Sequence, residues 1–449
     1  MPHGSHRLLH QHRRPVARFR RRVLRSDFGL GRHGPKWNPP FRVSHSGTQR
    51  AQANRGMLCQ TETAGHALAR SRRLSPRHCF RRDQTMTGTV AVLGANGFIG
   101  CRTVELLHLS GWAEVRPIVR RPSAFASLSR FAIDGRVADA HDVPALTAAL
   151  LGCQSVVHAV AGDSRTIVDA VEPVYRAAAA AGVVRLVYLS SASVHGQSPP
   201  PGTDETSALH DGQTVEYNNA KVRAERRLGE LSRDGAVQVV VLRPGIVFGP
   251  RSSWTGGFAN DLLDGSAYLV DGGHGICNSA YVDNVVHAIK LAIEVPEAAG
   301  RTYLVGDRER ISWADLCRPI AEALGFDLAA ISVSAPLSFA PNWTQWLRDG
   351  DLYRRLVRSL PRPVRSGLKV GYAEWRKSGL DQRPPMAPKI KVSEERALLH
   401  RCRVKLPSAK AERELGYQPV VGFEEACRRS VAWLTFAGYP TAQSQVGER

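Results

Sequence analysis

The 449-residue sequence lacks several features that would each point to a particular class of protein. It contains no apolar run long enough to cross a membrane, so no membrane-spanning helix is predicted. Its eight cysteines include no pair at a CxxC spacing, so neither a disulfide framework nor a zinc site is expected. A cytoplasmic location fits this cysteine usage best. Acidic residues are scarce, because 61 Lys and Arg oppose 40 Asp and Glu, giving a net charge of +21.

The shortage of acidic residues is concentrated in the first 85 positions. This stretch has 18 Arg and one Lys but only three acidic residues, which accounts for 16 of the 21 net charges. Its composition and lack of apolar periodicity predict a disordered basic extension over residues 1–85. Because Met86 lies three residues before the first predicted strand, we expect the extension to lie outside the native protein. A disordered tail and an organelle transit peptide are the alternatives. Nucleic-acid binding is the least expected role, since interleaved aromatics and a binding motif are missing.

From residue 86 onward, short runs of Val, Ile and Leu alternate with helical stretches. Buried strands separated by helices indicate a parallel sheet covered on both faces, which is the Rossmann-like, doubly wound α/β fold. Ligands of such folds bind outside the carboxyl ends of the strands. The predicted strands are Thr89–Leu93, Glu114–Val119, one ending near Val137, Ser155–Val160, Val183–Ser190 and Val237–Leu242, and the predicted helices are Phe98–Ser110, Val143–Leu151 and Thr166–Ala181.

A glycine motif, GANGFIG at residues 94–100, stands between the first predicted strand and helix. In such a motif the first glycine permits a tight turn, the second lets the backbone approach a pyrophosphate, and the third lets the helix pack close to the strand. The helix N-terminus adds free N–H groups and positive potential. Because glycines also serve ordinary turns, the strand–loop–helix context carries the prediction of a dinucleotide site. The predicted contacts are Gly94, Asn96, Gly97, Phe98, Ile99 and Gly100.

Two arginines, Arg120 and Arg121, follow the second predicted strand, where NAD sites usually have an acidic residue. Arg can bind the 2′-phosphate of NADP, so NADP is favoured over NAD, with a solvated basic surface as the alternative. Asp139 ends the third predicted strand and is placed to reach an adenine amino group. A surface or helix-capping role for Asp139 is nearly as well supported.

A tyrosine and a lysine at a YxxxK spacing, Tyr217 and Lys221, are predicted to start a helix and to share one of its faces. A free phenol is a poor base near neutral pH. A nearby ammonium group, helped by an oxidised nicotinamide ring, stabilises the phenolate and lowers its pKa, so that Tyr217 can exchange a proton with a substrate oxygen. Ser191, in a hydroxyl-rich strand end, would orient the same oxygen. The glycine loop, the hydroxyl-rich strand end and the YxxxK spacing follow in that order, which favours an enzyme over a Tyr–Lys pair that merely lies on the surface.

Residues 86–310 resemble the extended short-chain dehydrogenase/reductase superfamily, often called NAD-dependent epimerases/dehydratases. The matching stretches are GANGFIG at 94–100, LSSASVHG at 189–196, YNNAK at 217–221, LRPGIVFGP at 242–250, YVDNVVHAIKLAI at 281–293 and the closing segment at 411–419. The resemblance implies that Ser191, Tyr217 and Lys221 are catalytic. It also implies that Ala159 and Pro244 line the dinucleotide, with Arg243 beside the nicotinamide.

The resemblance also implies a domain organisation. Residues 86–245 and 279–307 would form the dinucleotide-binding domain, and residues 246–278 and 308–440 would form a smaller substrate lobe. Members of the superfamily tend to dimerise through helices flanking the sheet, so a homodimer is expected. The basic, tryptophan-containing residues 335–400 include an amphipathic stretch, Leu352–Leu360. We expect this region to be an insertion packed on the substrate lobe, and we do not expect it to contact a membrane.

The reaction class is left open by the sequence. Sugar epimerases of this superfamily typically have an Asn where this chain has Ile246, and that difference, with Arg120 and Arg121, favours a reductase of the hydroxysteroid or dihydroflavonol type. The closing segment, Arg251 and residues 271–273 favour a sugar epimerase or dehydratase, which is placed narrowly first. A non-catalytic dinucleotide-binding protein ranks last, because Tyr217 and Lys221 are both present. The residues expected to bind a small-molecule substrate are Ser191, Ser193, His195, Tyr217 and Arg251, and a structural role for His195 is at least as well supported.

Overall fold

A computed structural model describes residues 87–334, 390 and 392–442 of the chain. The basic extension and the stretch Leu352–Leu360 lie outside these described residues. The strands are β1 (Thr87–Leu93), β2 (Ala113–Val119), β3 (Arg136–Val137), β4 (Cys153–His158), β5 (Arg185–Leu189), β6 (Gln238–Pro244), β7 (Ile246–Phe248), β8 (Leu269–Val270), β9 (Ile276–Cys277), β10 (Ser279–Tyr281), β11 (Thr302–Val305), β12 (Ile311–Ser312) and β13 (Ser332–Val333). The helices are α1 (Phe98–Leu109), α2 (Val143–Leu150), α3 (Ser164–Asp169), α4 (Val171–Ala180), α5 (Glu216–Leu231), α6 (Phe258–Leu263), α7 (Val282–Glu294), α8 (Trp313–Ala323), α9 (Glu394–His400), α10 (Ala409–Leu415) and α11 (Phe423–Phe436). Among the described helices, none has the length and apolar character needed to cross a membrane.

Seven strands form one parallel sheet in the order β11-β6-β5-β4-β1-β2-β3. The chain runs outward from β1 through β2 to β3 and then returns past β1 to β4. The reversal therefore opens a crevice at the carboxyl ends of β1 and β4, where doubly wound sheets bind ligands. The predicted Rossmann-like fold is confirmed.

Both faces of this sheet are buried, as continuous apolar strands require. Successive side chains of β1 point to opposite faces, so Val90 and Val92 join one apolar cluster while Ala91 and Leu93 join the other. Helices α1 and α7 cover the first face, and α2, α4 and α5 cover the second. The sheet is consequently a rigid platform whose strand ends hold the site.

The helix predicted over Thr166–Ala181 is two helices in the structure, α3 and α4, which meet at Ala170. Pro173 explains the break, because it has no N–H to donate to the carbonyl of Asp169 one turn earlier. The other predicted helices and the five predicted strands with two stated bounds agree with the structure to within two residues at each end.

The remaining described residues form smaller sheets and further apolar clusters beyond the strand ends. β10 pairs with β7, β12 with β9, and β13 with β8. The chain then returns from α9 across the ends of β6 and β11. Asn278 holds this return segment, since its side chain donates to the Val404 carbonyl at 2.9 Å and accepts from the Leu406 N–H at 2.8 Å.

Candidate active site

The glycine motif forms a tight turn between β1 and α1. Gly94 has a φ of 76°, which favours glycine, and a Cβ there would meet the Ala159 carbonyl oxygen at 2.6 Å. The Gly97 N–H closes the turn by donating to the Gly94 carbonyl at 2.9 Å. A Cβ at Gly100 would collide with the backbone of Gly94. Gly94 and Gly100 thus occupy spaces in which a side chain would displace backbone.

The amino end of α1 fits the pyrophosphate of a dinucleotide. The first helical hydrogen bond runs from the Cys101 N–H to the Gly97 carbonyl at 2.9 Å, so the N–H groups of the preceding turn belong to the set without helical partners. The first turn carries no acidic residue, and Asn96 and Gly97 are exposed beside it. Free donors, helix polarity and missing side chains together make a cradle for phosphate.

The residues predicted to contact the adenosine end lie at the carboxyl ends of β2 and β3. Arg120 and Arg121 are both exposed there. The Asp139 carboxylate accepts from the His141 backbone N–H at 3.0 Å and contacts the ring Nδ1 at 2.8 Å. These bonds lower the pKa of Asp139. The carboxylate is therefore already engaged by His141, a contact that the sequence did not predict.

Two serines follow β5 and are coupled to each other. Ser191 caps a 3₁₀ turn, and its Oγ accepts from the Ser193 N–H at 3.2 Å and from the Ser193 hydroxyl at 2.9 Å. Since both contacts use Ser191 as an acceptor, its own proton is available for another oxygen. The Tyr217 phenol lies near this hydroxyl, which lowers the pKa of the phenol.

Tyr217 and Lys221 lie in the first two turns of α5 and face the same side. The Lys221 ammonium is 5.9 Å from the centre of the Tyr217 ring and 5.0 Å from that of Tyr188. Its Nζ donates to the Leu189 carbonyl at 2.7 Å, which fixes it at the end of β5. Lys221 is only 3% exposed, and this burial lowers its pKa to about 8.

The phenol of Tyr217 experiences opposing influences. Burial raises its pKa, the contact with Ser191 lowers it, and the carboxylate of Glu395 raises it. The residue as a whole is 40% exposed, so its ring is reachable from the cleft while its phenol end is partly shielded. In the protein alone, burial outweighs the contact with Ser191, so the pKa of Tyr217 is raised.

A buried ion pair lies behind the Tyr217–Lys221 pair. Glu225 stands one turn after Lys221, and Arg243 Nη2 donates to its carboxylate at 2.7 Å; the two side chains are 8% and 6% exposed. The Ser190 hydroxyl donates to the same carboxylate. Arg243 also donates to His195 Nε2 at 3.1 Å. Burial and this arginine lower the pKa of His195 to about 4, so the ring is neutral.

Two predicted site residues lie outside this network. Pro244 ends β6 in a buried position beside Val305 of β11. Arg251 follows β7 with a φ of 71°, a conformation that non-glycine residues rarely adopt, and its side chain is exposed. Strained backbone of this kind concentrates at functional sites, although it does not identify the ligand.

The structure adds residues that the sequence reasoning missed. Glu225 had a usable signal, because its spacing from Lys221 puts it on the same helix face. Glu395 and its hydrogen-bond partner Gln197 had none, since they are far apart in the chain. The buried ring of His158, at the end of β4, was also missed; it packs edge-on to Tyr188 with ring centres 5.2 Å apart.

Comparison with known proteins places this geometry in a family. The model of the NAD-dependent epimerase/dehydratase family matches residues 90–306. The 3 beta-hydroxysteroid dehydrogenase/Delta 5-->4-isomerase of Mycobacterium tuberculosis is 30% identical over 370 residues, covering 76% of this chain and 89% of the relative. The chain belongs to the NAD-dependent epimerase/dehydratase family. It is an enzyme of the NAD-dependent oxidoreductase and epimerase type.

Other members of the epimerase/dehydratase family are similar over smaller or more divergent stretches. The UDP-glucose 4-epimerase of Vibrio cholerae is 27% identical over 261 residues, covering 54% of this chain and 77% of the relative. The fold also matches the dTDP-glucose 4,6-dehydratase DesIV of Streptomyces venezuelae, crystallised with NAD, with a TM-score of 0.57 and 20% identity over 78% of this chain and 97% of that one. Sugar-active and steroid-active members are therefore both among its relatives.

Proposed function

We propose that this enzyme oxidises a secondary alcohol, or reduces the corresponding ketone, with NAD(P) and with Tyr217 as the general acid and base. The observation that carries the proposal is the convergence of Ser191, Tyr217 and Lys221 at the sheet edge that also holds the glycine turn. Each group has a matching task, since the reaction needs a proton acceptor, a donor to the substrate oxygen and a cation beside the phenol.

The bound dinucleotide would supply a nicotinamide carbon that accepts or returns hydride. Its pyrophosphate would be held by the backbone of Gly94 to Gly100. Ser193 fixes Ser191 as a donor, and Ser191 then directs its proton at the substrate oxygen. Tyr217 takes the proton of the alcohol in the oxidation direction and gives it back to the ketone in reduction. Lys221 stabilises the phenolate, and a positive nicotinamide ring strengthens that effect against the burial that raises the phenol pKa.

A hydroxysteroid-like alcohol is the substrate class that we favour. Ile246 occupies the place where sugar epimerases of this kind typically have an asparagine, and it packs against an apolar cluster that includes Phe248 and Trp313. An apolar side chain there offers no hydrogen bond to a nucleotide diphosphate. A relative that is 30% identical and covers 76% of this chain is named for a 3 beta-hydroxysteroid activity. These observations change the order of preference drawn from the sequence.

A nucleotide sugar is the second candidate. Arg251 favours it, because an exposed guanidinium held in an unusual backbone conformation is suited to a phosphate. The sugar-active relatives and fold neighbours agree with this candidate.

Two assays test the candidates. In the first, the enzyme is given a 3β-hydroxysteroid, and formation of reduced cofactor is followed by its absorbance. In the second, it is given UDP-glucose, and conversion to UDP-galactose is followed by chromatography. Net cofactor reduction supports the first candidate, and epimerisation without net reduction supports the second.

Tyr217→Phe should lower kcat by about 10²- to 10⁴-fold while leaving dinucleotide affinity unchanged. Full activity in Tyr217→Phe would contradict the assigned role of the phenol.

A further inference from the structure

The Lys221 ammonium is buried without an ionic partner. Its side chain makes no ion pair among residues 87–334, 390 and 392–442, although the residue is only 3% exposed. Glu225 stands one turn later on α5, but its carboxylate is already bonded to Arg243 and to the Ser190 hydroxyl. Taking an ammonium out of water is costly unless other groups replace the lost hydration. The charge of Lys221 therefore needs stabilisation from groups other than a carboxylate.

Strand β5 supplies two such groups from consecutive residues. The Lys221 Nζ donates to the Leu189 carbonyl at 2.7 Å. The same Nζ lies 5.0 Å from the centre of the Tyr188 ring, inside the range of about 6 Å over which an aromatic ring attracts a cation. The Tyr217 ring is farther away, at 5.9 Å. The end of β5 thus offers the ammonium a carbonyl oxygen and an aromatic ring.

The Tyr188 ring is held in the middle of the seven-stranded sheet. Tyr188 is buried and lies opposite His158 of β4 on one side and opposite Val241 of β6 on the other. The His158 ring packs against it with an angle of 87° between the ring planes and 5.2 Å between the ring centres. The position of the aromatic ring is therefore set by neighbours on both sides and does not depend on a bound ligand.

The ring of Tyr188, rather than its hydroxyl, makes the contact that matters here. The hydroxyl is buried and has no hydrogen-bond partner among the described residues. Burial raises the pKa of this phenol, so it stays neutral. A buried hydroxyl without a partner destabilises the folded protein. The contact of the ring with Lys221 is thus the favourable polar interaction that the structure gives this side chain.

The other titratable groups around Lys221 leave its charge in a fine balance. Burial lowers the pKa of Lys221 to about 8, and the carboxylate of Glu225 raises it. His158 is neutral, because burial and the nearby Lys221 lower its pKa to about 3. Tyr217, on the same helix, is the phenol that the ammonium would stabilise. With its pKa so near the neutral range, Lys221 loses a large part of its charge if even a modest attraction is removed.

We propose that Tyr188 is a positioning residue, whose aromatic face keeps the Lys221 ammonium charged by a cation–π contact in place of the carboxylate that a buried cation ordinarily pairs with. The proposal rests on the proposed function, because it explains how the cation assigned to the Tyr217 phenolate keeps its charge. Tyr188 itself touches neither the substrate oxygen nor the hydride in this arrangement.

A graded change of the ring face tests the proposal in the full-length protein. Tyr188→Phe removes only the hydroxyl, and difluorophenylalanine and pentafluorophenylalanine at the same position then withdraw negative charge from the ring face with little change in shape. Lysine labelled with ¹³C at Cε reports the pKa of Lys221 by NMR, and the signal is assigned by its loss in Lys221→Met. We expect Tyr188→Phe to match the parent. The fluorinated rings should lower the Lys221 pKa stepwise, by about 0.4 to 1.5 pH units over the series.

Tyr175 provides the matched control. It is buried in the same apolar cluster as Tyr188, and its ring makes no contact with Lys221 among the described residues. The same fluorinated series at Tyr175 should leave the Lys221 pKa unchanged. An unchanged Lys221 pKa throughout the Tyr188 series would overturn the proposal. A shift of equal size from the Tyr175 series would overturn it too, since the effect would then not require the ring beside the ammonium.

Activity gives a second readout that a purely structural role would not move. The fall of kcat/KM at alkaline pH should begin at a lower pH in each fluorinated Tyr188 variant, in step with the Lys221 pKa. If the parent turns over no hydroxysteroid and no UDP-glucose, the proposed function fails. The NMR titration needs no substrate, so in that case it still decides whether the Tyr188 ring keeps Lys221 charged.

Discussion

The two sides of the proposed catalytic cleft, the cofactor side and the catalytic side, are built by different kinds of interaction. On the cofactor side, Gly94 and Gly100 leave room for backbone to approach backbone, and the useful groups are main-chain N–H donors. On the catalytic side, Lys221, Glu225 and Arg243 are charged side chains with little exposure. The cofactor side depends on the absence of side chains at the glycines of residues 94–100. The second depends on pairing of charges from different elements, so single substitutions should disturb the two sides differently.

The largest effect on stability should come from the catalytic side. Glu225→Ala leaves the Arg243 guanidinium buried without its carboxylate, which costs about 3–5 kcal/mol in the free energy of unfolding. Urea denaturation followed by circular dichroism measures this loss. Glu230→Ala on the same helix removes an exposed partner of Arg227 and should lower stability far less, because solvent screens an exposed ion pair. Equal losses would show that the buried pair does not stabilise the catalytic side.

On the cofactor side, Gly100→Ala should impair binding more than folding. Its new Cβ would meet the Gly94 carbonyl oxygen at 2.3 Å, so the turn that would hold the pyrophosphate must shift away from its present position. A shift that weakens binding by about 1–3 kcal/mol lowers dinucleotide affinity by about five- to 150-fold. Fluorescence titration with NADH and NADPH measures the affinity. Gly111→Ala, whose Cβ would meet open space at a φ of 62°, should leave that affinity unchanged. Similar affinity losses in both variants would argue against the close approach at Gly100.

Lys221 makes the catalytic side sensitive to pH. Its pKa in the folded chain is about 8, against an ordinary value of 10.5. The ammonium is needed beside Tyr217, so kcat/KM for alcohol oxidation should fall above about pH 8. Between pH 8 and 10.5, Lys221 is protonated in the unfolded chain but not in the folded chain. The stability of the parent relative to Lys221→Met should therefore rise as the pH rises across that window. A flat difference would mean that burial does not depress this pKa.

The smallest effect should come from the exposed arginines at the adenosine end. Replacing Arg120 and Arg121 with Ser should weaken NADP⁺ relative to NAD⁺ by about three- to tenfold, because exposed charges are screened by solvent. Arg165→Ser, which removes an exposed partner of Asp169, is the control. An unchanged ratio of NADP⁺ affinity to NAD⁺ affinity in the variant would show that the two arginines are only solvated surface residues.

The same contrast explains how much of the fold was predictable. Long apolar strands such as β1, β2 and β4 are recognisable, because burial on both faces demands continuous Val, Ile and Leu. The two-residue strands β8, β9, β12 and β13 have no periodic signal of their own. They exist because neighbouring segments pack against them, and a single sequence does not show such contacts.

The candidate site also combines features with a local sequence signal and features that depend on contacts between distant positions. The glycine turn and the Tyr217–Lys221 spacing are local patterns, and each predicts its own geometry. The contact of Glu395 with Gln197 joins positions far apart in the chain, and only the packing of α9 brings them together. The predicted lowering of the Tyr217 pKa also omitted burial, which acts in the opposite direction.

The return of the chain across the strand ends has a consequence for biosynthesis. Asn278 is anchored only when Val404 and Leu406 arrive, and Gln197 meets Glu395 only when α9 is in place. On the ribosome, the sheet can therefore assemble well before the cleft acquires its far wall. A nascent chain stalled after residue 306 would present the sheet without these contacts, and they must wait until residues 394–406 have been translated.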